Sequence, residues 1–179
     1  MRKYVTQIAA MMLALTCMAV AQGDPNTELR HAAKKGRFHD RIAIQELIYK
    51  YAYTYDAKDC VGYSNLFTTD GVLDLGGTIV PNSAMQAKGR DAIRQACVDR
   101  QNKVVGKIRT HHNMMNITFD KLTPNLAETR SYLLLTWQKP GETTVSIAAS
   151  FIYRDVFEKS QDGKWLFKER KADDLTSIR

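Results

Sequence analysis

Ile108-Arg109-Thr110-His111-His112-Asn113-Met114-Met115-Asn116-Ile117-Thr118-Phe119-Asp120 is the stretch on which the fold turns. From Gly106 onward the hydrophobic pattern has a period of two, which predicts strands. Residues 108–120 are the first of four, followed by 127–138, 144–158 and 164–173. Pro124-Asn125, Pro140-Gly141 and Asp162-Gly163 mark the turns between them. Neighbouring side chains on a strand point to opposite faces. His112, Met114, Asn116 and Thr118 therefore share one face, and Asn113, Met115, Ile117 and Phe119 share the other. His111 and His112 diverge. The polar face of such a strand looks at water or lines a wet pocket, and spacing leaves both open.

Upstream the period changes to that of a helix. Ile44, Leu47, Ile48, Tyr51 and Tyr55 recur at helical spacing behind Asp40, which reads as an N-cap. Ala52 and Asp56 lie at the edge of that stripe, and Tyr49 and Tyr53 lie opposite. A short helix is expected from Val61 to Phe67, then a turn at Thr68-Thr69-Asp70-Gly71 and a strand Val72–Leu75 closed by Gly76-Gly77. Residues 78–88 read as a loop. Arg90–Gln101 reads as an amphipathic helix, with Gly89 before it and Ile93, Ala96, Cys97 and Arg100 along one side. Helices first and an antiparallel meander second give an α+β class, helices on one face of a curling sheet and a pocket between the layers.

The ends of the chain read differently. Arg2 and Lys3 precede an apolar run, Ile8 to Val20, that closes with Ala19-Val20-Ala21. This is the pattern of a signal peptide over residues 1–21, too short for a stable membrane span. The expectation is an exported, periplasmic protein with no membrane association after cleavage, a flexible basic linker over 22–37, and one domain over 38–175. The formal charge is +7, of which Arg2 and Lys3 supply two. The basic run from Arg30 to Arg37 has no interleaved aromatic residues to stack on bases, so no nucleic-acid partner is expected. Cys60 and Cys97 remain after cleavage. An oxidising compartment permits a disulfide between them, but two buried, unpaired thiols are the expected state. No spacing of Cys or His suits zinc, and the adjacent histidines of one strand cannot converge on one ion, so no metal is expected.

A carboxylate that can reach a histidine is the minimal kit for proton abstraction. Asp56, at the inner edge of an apolar helix, must be paired or perturbed if buried. The alternative is a last-turn Asp facing solvent. Tyr51 and Tyr55 lie beside it, and a buried hydroxyl needs a partner. Trp137 reads as packing that can line a pocket, and Arg154 as a cation able to neutralise an acidic substrate group or to form a cross-strand pair. There is no nucleophile elbow and no phosphate-binding glycine loop.

Taken in order, Ile44-Gln45-Glu46-Leu47-Ile48-Tyr49-Lys50-Tyr51, Tyr55-Asp56 with Asp59, Leu66-Phe67-Thr68-Thr69-Asp70-Gly71, Gly89-Arg90-Asp91-Ala92-Ile93, His111-His112 with Asn116, and Asp162-Gly163-Lys164-Trp165 are similar to a known family. The chain resembles SnoaL-like domains of the nuclear-transport-factor-2-like superfamily, close to the scytalone dehydratase and bile-acid dehydratase branch. The resemblance implies a cone: a curved mixed or antiparallel sheet wrapped around about three N-terminal helices, with the site at its open end. It also implies that Asp56 and His112 meet as the base of an elimination, with Tyr55 polarising the substrate. Tyr51, Met114, Asn116, Trp137 and Arg154 would then line the substrate site. No cofactor is needed for this chemistry. The implied ligand is small and hydrophobic, aromatic or steroid-like. Isomerisation of the ketosteroid-isomerase kind, with the carboxylate as base, and a non-catalytic binding or assembly module are the alternatives. A second histidine of scytalone dehydratase has no counterpart near Thr136 and Trp137. Homo-dimers or homo-trimers are expected through the outer sheet face, with Met115, Ile117 and Phe119 as candidate contacts or, alternatively, ordinary core residues.

Overall fold

The stripe read between Ile44 and Tyr55 is one face of a helix whose apolar side is removed from water. Ile44, Leu47, Ile48, Tyr51, Ala52 and Tyr55 are all buried, whereas Tyr49 and Tyr53 are exposed. A computed structural model describes residues 25–76, 85–105 and 107–173. This helix, α1, spans Pro25–Asp56. It begins fifteen residues before Asp40, so the segment read as a flexible linker is helical from Pro25. Proline suits a first helical position, and Leu29, Arg30, the two alanines and the lysines that follow are good helix formers. The described side chains from Asn26 to His39 are exposed. The chain divides into two units, Met1–Gly36 and Arg37–Arg179, and all that follows concerns the second. The leader expected over residues 1–21 lies outside the described residues.

After α1 come α2 (Cys60–Asn65), β1 (Phe67–Asp74), β2 (Gln86–Lys88) and α3 (Arg90–Arg100), then a π-helical turn at Gln101–Val105. The four long strands follow as β3 (Arg109–Leu122), β4 (Leu126–Gln138), β5 (Ser146–Lys159) and β6 (Trp165–Asp173). They form one open, curved six-stranded sheet in the order β2-β1-β6-β5-β4-β3. All neighbours are antiparallel except β1 with β6. The class is α+β, as read from the pattern. Among the described residues no helix is long and apolar enough to cross a membrane.

Several local readings need correction. Asp40 is no N-cap. It lies within α1 and accepts hydrogen bonds from Lys159 Nζ at 2.6 Å and Trp165 Nε1 at 2.9 Å, tying the helix to β5 and β6. Thr68–Gly71, read as a turn, lies inside β1, where its residues are looped out of the pairing between Phe67↔Phe167 and Val72↔Glu169. Its turn chemistry survives as a bulge. A Cβ on Gly71 would lie 3.0 Å from Phe67 Cβ and 3.2 Å from the Phe167 carbonyl oxygen, so any larger residue would crowd its neighbours there. Residues 86–88, read as loop, pair with β1 as β2; the part of that loop over 78–84 lies outside the described residues. Cys60 and Cys97 are not free thiols. They form a disulfide with Cα atoms 5.6 Å apart, joining the start of α2 to α3. Spacing of 37 residues says nothing of such proximity until the helices are packed.

The most consequential difference lies in β3. Asn116 has φ 52°, and the pairing to β4 shifts between Met115 and Thr118. One extra residue reverses the facing of the side chains beyond it, up to a second shift between Phe119 and Lys121. Thr110, His112 and Met114 face inward, but after the bulge Ile117 and Phe119 turn inward and pack on the core. They leave the outer face, so of the expected oligomer contacts only Met115 is an exposed apolar residue.

Candidate active site

The last turn of α1 and the first half of β3 meet at three hydrogen bonds, all to the Asp56 carboxylate. Oδ1 accepts from Thr110 Oγ1 at 2.8 Å, and Oδ2 from the His112 backbone N–H at 2.8 Å. His112 Nδ1 lies 2.7 Å from Oδ1. A carboxylate so placed only accepts, so the Nδ1 proton points to Asp56 and Nε2 is the ring's remaining basic nitrogen. The pair is partly sheltered, its side chains 8% exposed for His112 and 18% for Asp56. Two tyrosine rings of α1 hold the imidazole edge-on, Tyr55 with centroids 5.0 Å away and Tyr51 at 6.4 Å.

His112 lines a cavity of about 410 Å³ between the helices and the inner sheet face. Tyr51, Tyr55, Leu135, Trp137, Phe151 and Tyr153 give it an aromatic and aliphatic wall, with Thr110 beside the histidine. Arg100 and Lys139 are its cationic members. Asp56 does not line it. The carboxylate instead borders a second, shallower concavity of about 570 Å³ behind the dyad, with Tyr49, Tyr53, His111 and Met114.

The hydroxyls are held by specific partners. Tyr63 donates to Tyr51 Oη at 2.9 Å, and the Tyr51 hydroxyl is also hydrogen-bonded to Tyr153. Burial pushes the Tyr55 hydroxyl up to about 12, with the Arg100 guanidinium pulling the other way. Tyr55 is therefore a neutral donor at physiological pH, not a base. Gln101 Nε2 donates to the Tyr55 carbonyl at 3.0 Å and pins the end of α3 to the end of α1. Beneath the cavity floor, fully buried Arg170 and Asp155 form a bidentate pair at 2.7 Å on both arms. The guanidinium lies 4.0 Å from the Tyr51 ring and 4.1 Å from that of Tyr153.

Of the residues singled out from sequence, Asp56, His112, Tyr55, Tyr51 and Trp137 come together here. Three do not. Met114 packs on the core and borders the rear concavity, not the main cavity. Asn116, carried outward by the bulge, borders a separate small cleft with Thr118 and Arg130. Arg154 is exposed and pairs with Asp173 across to β6. Thr110, Tyr153, Arg100 and Lys139 were missed as site residues. Period two already put Thr110 on the His112 face, and the α3 stripe already held Arg100. Leu135 and Trp137 stand across from His112 and Thr110 on β4, and neither supplies a second histidine. Among the described residues no three His, Cys, Asp or Glu side chains cluster to hold one ion.

The family described as SnoaL-like domain matches residues 36–171. Solved structures share the fold. An NTF2-like protein with a cystatin-like fold from Novosphingobium aromaticivorans has TM-score 0.70 at 22% identity, over 87% of this chain and 93% of that one. A scytalone-dehydratase-like protein from the same organism has TM-score 0.61 at 26% identity, over 78% and 86%. ActVI-ORFA from Streptomyces coelicolor has TM-score 0.65 at 19% identity, over 76% and 97%. No curated protein matches the chain.

Proposed function

The chain belongs to the SnoaL-like domain family, and from that premise we propose that it is a cofactor-independent lyase of the dehydratase kind, acting on a small cyclic or aromatic substrate. The observation that carries this reading is the 2.7 Å contact of His112 Nδ1 with Asp56 at the wall of an apolar cavity. His112 Nε2 takes the proton next to a carbonyl, and Asp56 stabilises the imidazolium that results. Tyr51 or Tyr55 donates to the enolate oxygen, Tyr51 strengthened by the bond it accepts from Tyr63. Collapse of the enolate forms the carbon–carbon double bond and breaks the β carbon–oxygen bond. The hydroxyl leaves as water with the proton that Nε2 returns, which regenerates the base.

The likeness to the scytalone-dehydratase-like protein at 26% identity supports elimination over other chemistries. Isomerisation by direct carboxylate attack finds less support. Both Asp56 oxygens are engaged by hydrogen bonds, and the carboxylate does not line the main cavity. A shuttle through His112 without a leaving group remains the isomerase form of the same site. A purely binding module would have its acid tied to an arginine or its cavity plugged, and neither applies to Asp56. The protein is proposed to be exported, in keeping with the signal peptide expected over residues 1–21 and with a Cys60–Cys97 disulfide, which an oxidising compartment maintains. It is proposed to self-associate through the outer sheet face.

The test is dehydration of a panel of bicyclic β-hydroxy ketones, followed by the enone absorbance. Asp56→Asn, which leaves the shape of the site but not its charge, is expected to lower turnover by about 10²–10⁴-fold with an unchanged melting temperature. Equal turnover in a folded variant sinks the dyad assignment.

A further inference from the structure

The cavity wall has an unequal distribution of charge. Its described lining includes two permanent cations, Arg100 and Lys139, and no carboxylate. Asp56, the nearest acid to His112, opens on the other side. Arg100 ends α3 and reaches the Tyr55 hydroxyl, which itself lines the cavity. Lys139 follows β4 directly, two positions beyond Trp137, and its partner Glu142 stands 3.5 Å away in an exposed pair. Exposed pairs of that kind are weak and yield readily to a better partner. Neither cation serves the proton-transfer chemistry, since the base is His112 and the donors are tyrosines.

Resting on the reading of this cavity as the substrate site, we propose that its ligand is a ring system carrying a carboxylate, with the rings against Leu135, Trp137 and Phe151 and the acid group held by Arg100, Tyr55 and Lys139. A guanidinium beside a phenol presents several N–H donors and one O–H donor in a single arc, which matches the two oxygens of a carboxylate. The surrounding wall is apolar, so the attraction is less screened than on an open surface. The reacting carbons would then be set at His112 by the distance between acid group and ring. The acid-neutralising role expected of Arg154 falls to Arg100, which shares a cavity with the dyad as Arg154 does not.

The test is a matched pair of probes, 1-naphthylacetate and its uncharged amide, titrated calorimetrically against the full-length protein. The carboxylate is expected to bind about tenfold tighter or more than the amide, as a charge-assisted hydrogen bond implies. Arg100→Gln should abolish that preference and leave amide binding in place, and Arg100→Lys should restore part of it. Lys139→Gln, at an exposed position, should weaken the preference several-fold without touching the fold. Asp56→Asn should leave the preference intact, which separates this inference from the dyad. Equal binding of the two probes, a preference that survives both Gln variants, or no binding of either probe at millimolar concentration overturns the proposal.

Discussion

Two carboxylates of this fold each grip a nitrogen base across the gap between elements, and the two pairs differ in what lies beyond them. Asp155 and Arg170 bridge β5 and β6 with no exposed surface at all, covered by the rings of Tyr51, Tyr153 and Phe167. Asp56 and His112 bridge α1 and β3 between two concavities. Tyr51 touches both, its ring over Arg170 on one side and toward His112 on the other. Burial alone therefore does not mark chemistry. The sealed pair has no space for a substrate and no nitrogen that could take a proton at neutral pH. The open pair sets His112 at the wall of an apolar cavity. One pair is part of the scaffold, and the other is what the scaffold holds out.

If that contrast is right, the same kind of substitution has opposite consequences in the two places. Asp56→Asn should lose about two to four orders of magnitude in turnover while keeping its fold. Arg170→Ala should reduce folding stability by about 3–5 kcal/mol, because a buried carboxylate is left without its partner. Urea unfolding of the two variants side by side checks this. A stable Arg170→Ala, or an unfolded Asp56→Asn, would erase the distinction. Replacing both Asp155 and Arg170 with apolar residues of similar volume should recover much of the loss, since the pair is not needed once neither charge is stranded.

A smaller effect sharpens the comparison through the tyrosines between the pairs. Tyr55 is held up to about 12 by burial, and burial raises Tyr63 and Tyr153 as well. An unfolded tyrosine ionises near 10 (about that value in peptides), so each of these binds its proton more tightly in the folded state. The contribution of Tyr55 is fully present below about pH 10 and is lost as pH rises through about 12. Denaturant midpoints measured across that range should fall, and Tyr55→Phe should flatten the early part of the fall. A midpoint flat to about pH 12 would mean that these hydroxyls are wetter than the cluster suggests.

Much of this arrangement is legible in the chain. The spacing of Ile44 through Tyr55 is that of the buried face of α1, and the paired turn residues bound β3 to β6 to within a few positions. The α+β class follows from those two patterns. The juxtaposition of Asp56 with His112 was legible only through family resemblance, because no local rule links residues 56 positions apart. The bulge at Asn116 was not legible. Asn tolerates a left-handed backbone, but nothing around it demands one, and a single extra residue moved Asn116 outward and Ile117 and Phe119 inward. The disulfide escaped for a related reason: it depends on how α2 and α3 pack, not on either helix pattern. Strand β2 is three residues long and has no periodicity to read. Arg100 was visible on its helix stripe, but its meaning comes from the cavity that the sheet completes.

The central claim is that His112, backed by Asp56, removes a carbon-bound proton in the main cavity. Its most direct test needs no natural substrate: exchange of the α-protons of 1-tetralone in D₂O, followed by proton NMR. The wild-type protein is expected to accelerate exchange above buffer, and His112→Ala to return it to the buffer rate with its fold intact. Exchange that persists in His112→Ala, or wild-type protein that does no better than buffer, would contradict the account.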